Sequence, residues 1–150
     1  MRAILQRVSH ASVTIEENEI TAISAGMLIL LGIEETDACE DADWLAAKLS
    51  RARIFSDANG LMNCALADIG GDALVVSQFT LFASTKKGNR PSFIRAARPQ
   101  TAIPLYEYFI ATLSREIGKT VLTGRFGADM QINLCNDGPI TILYDSKTRE

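Results

Sequence analysis

The chain has 150 residues, 47% of them hydrophobic, with 15 Lys and Arg against 18 Asp and Glu. This suits one ordinary domain, residues 1–150, with a core that needs no disulfide or metal staple. The longest apolar run, Met27 to Leu31, excludes a membrane-spanning helix, and Met1 to Arg7 is too short an apolar stretch for a secretory signal.

The three cysteines, Cys39, Cys64 and Cys135, lack the spacing of a zinc or redox site and are expected as buried thiols of a soluble, cytoplasmic protein. Ala3 to Val8, Ser12 to Glu16 and Glu19 to Ser24 read as strands, and Met27 to Ile33 as a buried strand of near-continuous apolar type. Asp37 and Glu40 resemble a capping pair for a helix carrying Trp44, Leu45, Lys48, Leu49 and Ala52, ending near Ile54. Phe55 to Gly60 is a turn cluster, Ala73 to Gln78 a valine-rich strand, and Phe82 to Gln100 a loop of the length that is usually functional. Pro104 fits a helix only in its first turn, so a second helix is predicted from there, striped by Leu105, Phe109, Leu113 and Ile117 and stopped by Gly118. Thr120 to Thr123, Met130 to Leu134 and Ile140 to Tyr144 close the chain as strands joined by turns at Gly124, Gly127 and Gly138. The sum is a single α+β domain, a curved, mostly antiparallel, barrel-like sheet with two helices packed against it.

Two segments interrupt apolar strand runs with small polar residues where a barrel would have its mouth: Val76 to Leu81 and Cys135 to Thr141. Gly138-Pro139 combines a step of weak bias against a cis peptide with a carbonyl that no side chain shields. It could equally be a turn between two strands. Charge is uneven too, because Ala73 to Tyr106 holds no acid but five bases, Lys86, Lys87, Arg90, Arg95 and Arg98. In isolation these would be a solvated loop, but so close to Ser77–Thr80 a polyanion such as phosphate is the better reading.

The usual hydrolytic equipment is missing. The chain has one histidine, His10, with no orienting acid nearby, no G-x-S-x-G elbow and no metal-ligand motif, so no metal or cofactor is expected. An already activated acyl group would need only oriented water and an oxyanion site, for which backbone amides around Gln78 and Phe79 and the hydroxyls of Ser77 and Thr80 are the available groups. Without a base beside it Thr80 suits positioning better than nucleophilic attack, and Cys135, alternating with Gln131 and Asn133, fits plain strand packing as well as thiol chemistry.

Gln6-Arg7-Val8, Gly26 to Gly32, Arg53 to Asp57, Ser77 to Leu81, Lys87 to Phe93, Gly124 to Met130 and Asn136 to Thr141 together resemble the D-aminoacyl-tRNA deacylase family nearly end to end and in the family's order. Ser-Gln-x-Thr and Asn-x-Gly-Pro-x-Thr are specific to it. The departures are Ile140 for the usual valine, and Leu61 where a lysine often precedes the methionine. The resemblance implies hydrolysis of the ester between a D-amino acid and the terminal ribose of tRNA by a homodimer. Each site would be completed by Gly138-Pro139 of the partner subunit, whose backbone carbonyls exclude L side chains but admit glycine. It also implies orienting roles for Arg7 and Asn136, and tRNA contacts for Lys86, Lys87, Arg90 and Arg95. Two other classes stay open: an RNA-end binder stacking bases on Phe82, Phe93 and Tyr106, and a small-molecule esterase to which the basic loop is incidental.

Overall fold

The computed structural model describes residues 1–16 and 19–149. Strand β1 (Arg2–Ile15) organises the sheet. On one edge it pairs antiparallel with β3 (Gly26–Gly32) and, further along, with β2 (Glu19–Ile23); on the other it pairs with β8 (Met130–Asp145). From β3 the sheet continues through β6 (Asp72–Ser77) to β7 (Leu122–Thr123), and β2 approaches both, so the sheet curls into a nearly closed barrel. A short hairpin, β4 (Phe55–Ser56) with β5 (Met62–Cys64), stands apart.

The α+β class, the barrel-like curvature and the two helices are as the sequence predicts. Antiparallel pairing holds for every ladder of β1, but β3–β6 and β6–β7 are parallel. Parallel neighbours cannot be joined by a tight turn, and the two helices are their crossovers: α1 (Cys39–Ser50) between β3 and β6, α2 (Pro99–Ile117) between β6 and β7. That is why both helices lie on one side of the sheet and pack on each other.

Each face of the sheet has its own core. Met27, Ile29 and Leu31 of β3 and Ala73 and Val75 of β6 meet Leu45, Leu49, Phe109 and Leu113 of the helices. Leu28, Leu74 and Val76 point the other way, into the barrel with Val13 and Ile15. Burial on both faces explains the unbroken apolar run of β3. β1 changes faces along its length, since Ala3 and Leu5 join the helical core while Ala11, Val13 and Ile15 line the barrel. The switch falls where the β1–β8 register shifts, between Gln6 and His10, because an extra residue reverses the alternation. The two predicted strands Ala3–Val8 and Ser12–Glu16 are therefore one bulged strand, as are Met130–Leu134 and Ile140–Tyr144.

Several boundaries differ for identifiable reasons. Helix α1 is capped one residue later than the Asp37/Glu40 pair suggests: Asp41 accepts the Ala38 N–H at 2.9 Å, and Asp37 instead accepts the Glu34 N–H at 2.8 Å. Helix α2 begins at Pro99, so Pro104 lies inside it and not in its first turn. The Gln100 carbonyl that Pro104 leaves without its helical donor is on an exposed residue, open to solvent. The early start is fixed from a distance: the Glu35 carboxylate accepts from the Arg98 N–H at 3.0 Å and the Thr101 hydroxyl at 3.1 Å. The cysteines are not the buried thiols expected, Cys39 and Cys135 being exposed and Cys64 half-buried. Cys135 falls on the outward phase of β8 with Gln131 and Asn133.

Candidate active site

The Ser77–Thr80 segment sits where β6 leaves the sheet. Gln78 extends the ladder by donating its N–H to the Leu31 carbonyl at 2.7 Å, and the chain then winds into a 3-10 turn, Phe79–Phe82. The turn rests on Gly32, where a Cβ would stand 3.0 Å from both the Gln78 carbonyl oxygen and the Leu81 Cβ, so a side chain there would push the turn away. Arg2 braces its far end, donating to the Leu81 carbonyl at 3.0 Å and to Asp145 at 2.7 Å, with its guanidinium 4.8 Å from the centre of the buried Phe82 ring. As at any helix start, the first amides are left over: among the described residues neither the Phe79 nor the Thr80 N–H has an acceptor. The Gln78 N–H is committed to Leu31, so the free donor pair lies one residue further on than the sequence suggests.

Ser77, Gln78 and Phe79 open onto a cleft of about 260 Å³. Ser77, Gln78 and Phe79 form its polar side; Ile33, Ala97, Pro99, Ala102 and Phe126 make the opposing wall apolar. Among the described residues no acid or base lines it. Thr80 is not on the wall, but the Gln78 side-chain amide donates to its hydroxyl at 2.5 Å, tying the two together. Sequence reasoning missed the apolar wall and the support that Tyr106 gives it from behind Phe126. The Tyr106 hydroxyl is buried and donates to the Val75 carbonyl at 3.0 Å, and the ring meets Phe126 edge to face at 5.5 Å, fixing that part of the wall. Burial pushes the Tyr106 phenol far above its ordinary pKa, so it stays a neutral donor. Among the described residues no cluster of three or more His, Cys, Asp or Glu is placed to hold a metal ion.

The second motif is elsewhere. Gln6 pairs with Thr141 and Val8 with Asn136, so Arg7 alone faces Asp137, Gly138, Pro139 and Ile140, and those four leave the ladder as a bulge. Gly138-Pro139 is thus neither at the mouth beside Ser77 nor a turn between two strands. The peptide is cis, and Gly138 has φ 117°, a region that favours glycine; a Cβ there would come within 3.1 Å of the Arg7 guanidinium. Asn136 closes the neck of the bulge, donating to the Thr141 hydroxyl at 2.8 Å and accepting the Ile140 N–H at 3.3 Å. Arg7 anchors it, with Nη1 donating to the Ile54 carbonyl at 2.6 Å and Nε facing the Asp137 carboxylate at 3.0 Å and its carbonyl at 3.2 Å. Arg7, Asn136, Gly138 and Pro139 are therefore together, but three strands from Ser77, or ~14 Å across the sheet at normal strand spacing. Among the described residues β8 pairs with β1 alone, so the bulge stands on an open edge.

Of the basic residues, Lys86, Lys87 and Arg90 are exposed at a loop tip without carboxylate partners among the described residues. Arg95 is engaged, paired with Glu34 at 2.9 Å and lying 5.4 Å from the centre of the Phe82 ring. Phe82 and Tyr106 are buried at 1% and 6% exposure, which removes two of the three rings of the stacking surface weighed for an RNA-end binder.

A cleft with free backbone donors, neutral polar groups and no acid–base pair suits an enzyme acting on an already activated acyl group. The family description "D-Tyr-tRNA(Tyr) deacylase" matches residues 4–145. The chain is 59% identical to the D-aminoacyl-tRNA deacylases of Flavobacterium johnsoniae and Bacteroides fragilis over 150 residues, 100% of each chain. A solved structure described as "c-Myc DNA Unwinding Element Binding Protein" is similar with a TM-score of 0.91 and 36% identity, covering 97% of this chain and 98% of that one. A probable eukaryotic D-amino acid tRNA deacylase shares the fold, with a TM-score of 0.82 at 16% identity over 95% and 97% of the two chains. The chain belongs to the D-Tyr-tRNA(Tyr) deacylase family, and it is a hydrolase.

Proposed function

We propose that this chain is a D-aminoacyl-tRNA deacylase working as a homodimer in the cytoplasm, and that Gly138-Pro139 of one subunit completes the cleft of the other. The observation that carries the cross-subunit part is the separation of the two motifs: the bulge projects from an open strand edge, three strands from its own Ser77–Phe79 cleft. A second copy related by a two-fold axis would bring each bulge to the opposite cleft.

In this reading the ester carbonyl oxygen accepts from the Phe79 N–H, with the Thr80 N–H next to it, and the Ser77 hydroxyl orients a water molecule, while the Thr80 hydroxyl positions Gln78. Water adds to the carbonyl carbon, the bond to the ribose oxygen breaks, and the proton passes to that oxygen, with the vicinal ribose hydroxyl as carrier. Free D-amino acid and tRNA leave. Because neutral groups line the cleft, no protein side chain takes the proton. Lys86, Lys87 and Arg90 meet phosphates of the acceptor end.

Backbone carbonyls of the bulge meet an L side chain by steric contact and leave a D side chain free, a rejection that does not depend on side-chain size. Glycine has nothing to reject and is hydrolysed too. The test is deacylation of D-tyrosyl-, L-tyrosyl- and glycyl-tRNA, with sedimentation at the same protein concentration. Hydrolysis of the first and third, survival of the second and a dimeric mass are expected; equal rates on the two tyrosyl enantiomers would refute the reading.

A further inference from the structure

The loop that carries the basic tip also carries a ring to the catalytic turn. Ser84 and Ser92 exchange N–H···O=C bonds of 2.8 and 2.9 Å, closing a neck from which Lys86, Lys87 and Arg90 project. Phe93 follows the neck directly, and its ring meets Phe79 edge to face, with centroids 5.1 Å apart and planes at 77°. Beyond it the loop is tied down by the Arg95–Glu34 ion pair and by the Ala97 N–H bonding the Ile33 carbonyl at 2.9 Å. The Phe79 ring is otherwise mostly in solvent, at 57% exposure, and Phe93 is the ring the structure sets against it.

We propose that Phe93 is a positioning residue: through the Phe79 ring it fixes the backbone that presents the Phe79 and Thr80 N–H groups, and it links that turn to RNA engagement at the Lys86–Arg90 tip. The inference rests on the deacylase reading above. A 3-10 turn has few bonds of its own, and a side chain free to change rotamer lets its backbone shift. An oxyanion site loses rate steeply with small displacements, so a modest packing contact has a visible effect on turnover. The aromatic pair also sits one residue from the neck that any displacement of the tip must pass through, whereas Arg95 and Ala97 hold the other end still.

The experiment is steady-state hydrolysis of D-tyrosyl-tRNA by wild type, Phe93→Leu, Phe93→Tyr, Phe79→Leu and the Phe79→Leu/Phe93→Leu double variant, each with and without Lys86, Lys87 and Arg90 changed to alanine. Phe93→Leu should lower kcat about 3-fold to 10-fold, the range of one aromatic pair, with KM within about twofold of wild type. Phe93→Tyr should restore kcat, and the double variant should be no slower than the slower single one. The triple alanine change should raise KM and lower kcat in wild type but cost no further kcat in Phe93→Leu. Phe93→Met, of similar bulk without a ring and assayed alongside, should repeat the loss while keeping the wild-type Tm, which separates the ring contact from general unfolding. Wild-type kcat in Phe93→Leu, additive effects at 79 and 93, or an effect on KM alone would overturn the inference. An inactive wild type would overturn the deacylase reading instead.

Discussion

Replacing Arg7 by methionine removes the guanidinium that ties the Asp137–Ile140 bulge to the body of the protein while keeping most of the stem. Two contacts go. The Asp137 ion pair is on a half-exposed carboxylate, side chain 55% exposed, so solvent screens it and its loss costs under ~1 kcal/mol. The 2.6 Å bond to the Ile54 carbonyl has a charged donor and belongs to a side chain only 12% exposed, so its loss costs about 2 kcal/mol. Together they amount to about 2 to 3 kcal/mol, a fall in Tm of roughly 5 to 10 °C for a domain of this size. The functional effect should be larger in proportion, because a carbonyl that rejects by contact fails when it moves by ~1 Å. The ratio of D-tyrosyl- to L-tyrosyl-tRNA hydrolysis should drop at least ~10-fold. Thermal melting and paired deacylation assays read both effects. A Tm loss of the expected size with an unchanged ratio would show that the bulge does not select the enantiomer, and the cross-subunit argument would fall with it.

Thr80→Val should slow deacylation ~10-fold to ~1000-fold, the range for one positioning or oxyanion group, whereas Thr80→Ser should retain most activity; an acyl-threonine trapped on the enzyme would contradict a positioning role. Changing Lys86, Lys87 and Arg90 to alanine should reduce the log–log salt slope of tRNA binding by about one unit per lost phosphate contact, and an unchanged slope would put the RNA elsewhere. Burial works against the Asp41 charge, but Lys147 at 2.7 Å, the Ser146 hydroxyl at 2.7 Å and the Ala38 N–H outweigh it and hold the carboxyl down at about 2. Its folded pKa is below the unfolded value of 3.8, so the unfolded chain binds more protons between those values. The stabilisation is full above pH ~4 and lost as pH falls towards ~2, about 1 to 2 kcal/mol after allowance for solvent screening. Asp41→Asn should flatten denaturant-measured stability over that window, and an unaltered slope would count against the assignment.

Local signals fixed what depends on neighbours along the chain. The α2 stripe of Phe109, Leu113 and Ile117, the stop at Gly118 and the β3 run all follow from periodicity and turn chemistry, and each is found buried or turned as expected. The residue types at Ser77–Thr80 and Asn136–Thr141, in a chain with one histidine and no hydrolase or metal-ligand motif, pointed to an activated acyl group while leaving an RNA-end binder and a small-molecule esterase open. What the sequence could not show was where chain segments meet. The parallel placement of β6 beside β3, the Glu35 carboxylate that starts α2 more than sixty residues later, and the Arg2 brace on Leu81 are long-range contacts without local periodicity. The cleft wall of Ala97, Ala102 and Phe126 is of the same kind, since small and apolar residues look like core until a cavity is seen between them. Both motifs interrupt strands where a barrel would have its mouth, and nothing in the residues themselves shows how far apart they lie in one chain. Tertiary structure decided that distance, because β1 and β3 both intervene between β8 and β6, and the bulge stands on an open edge.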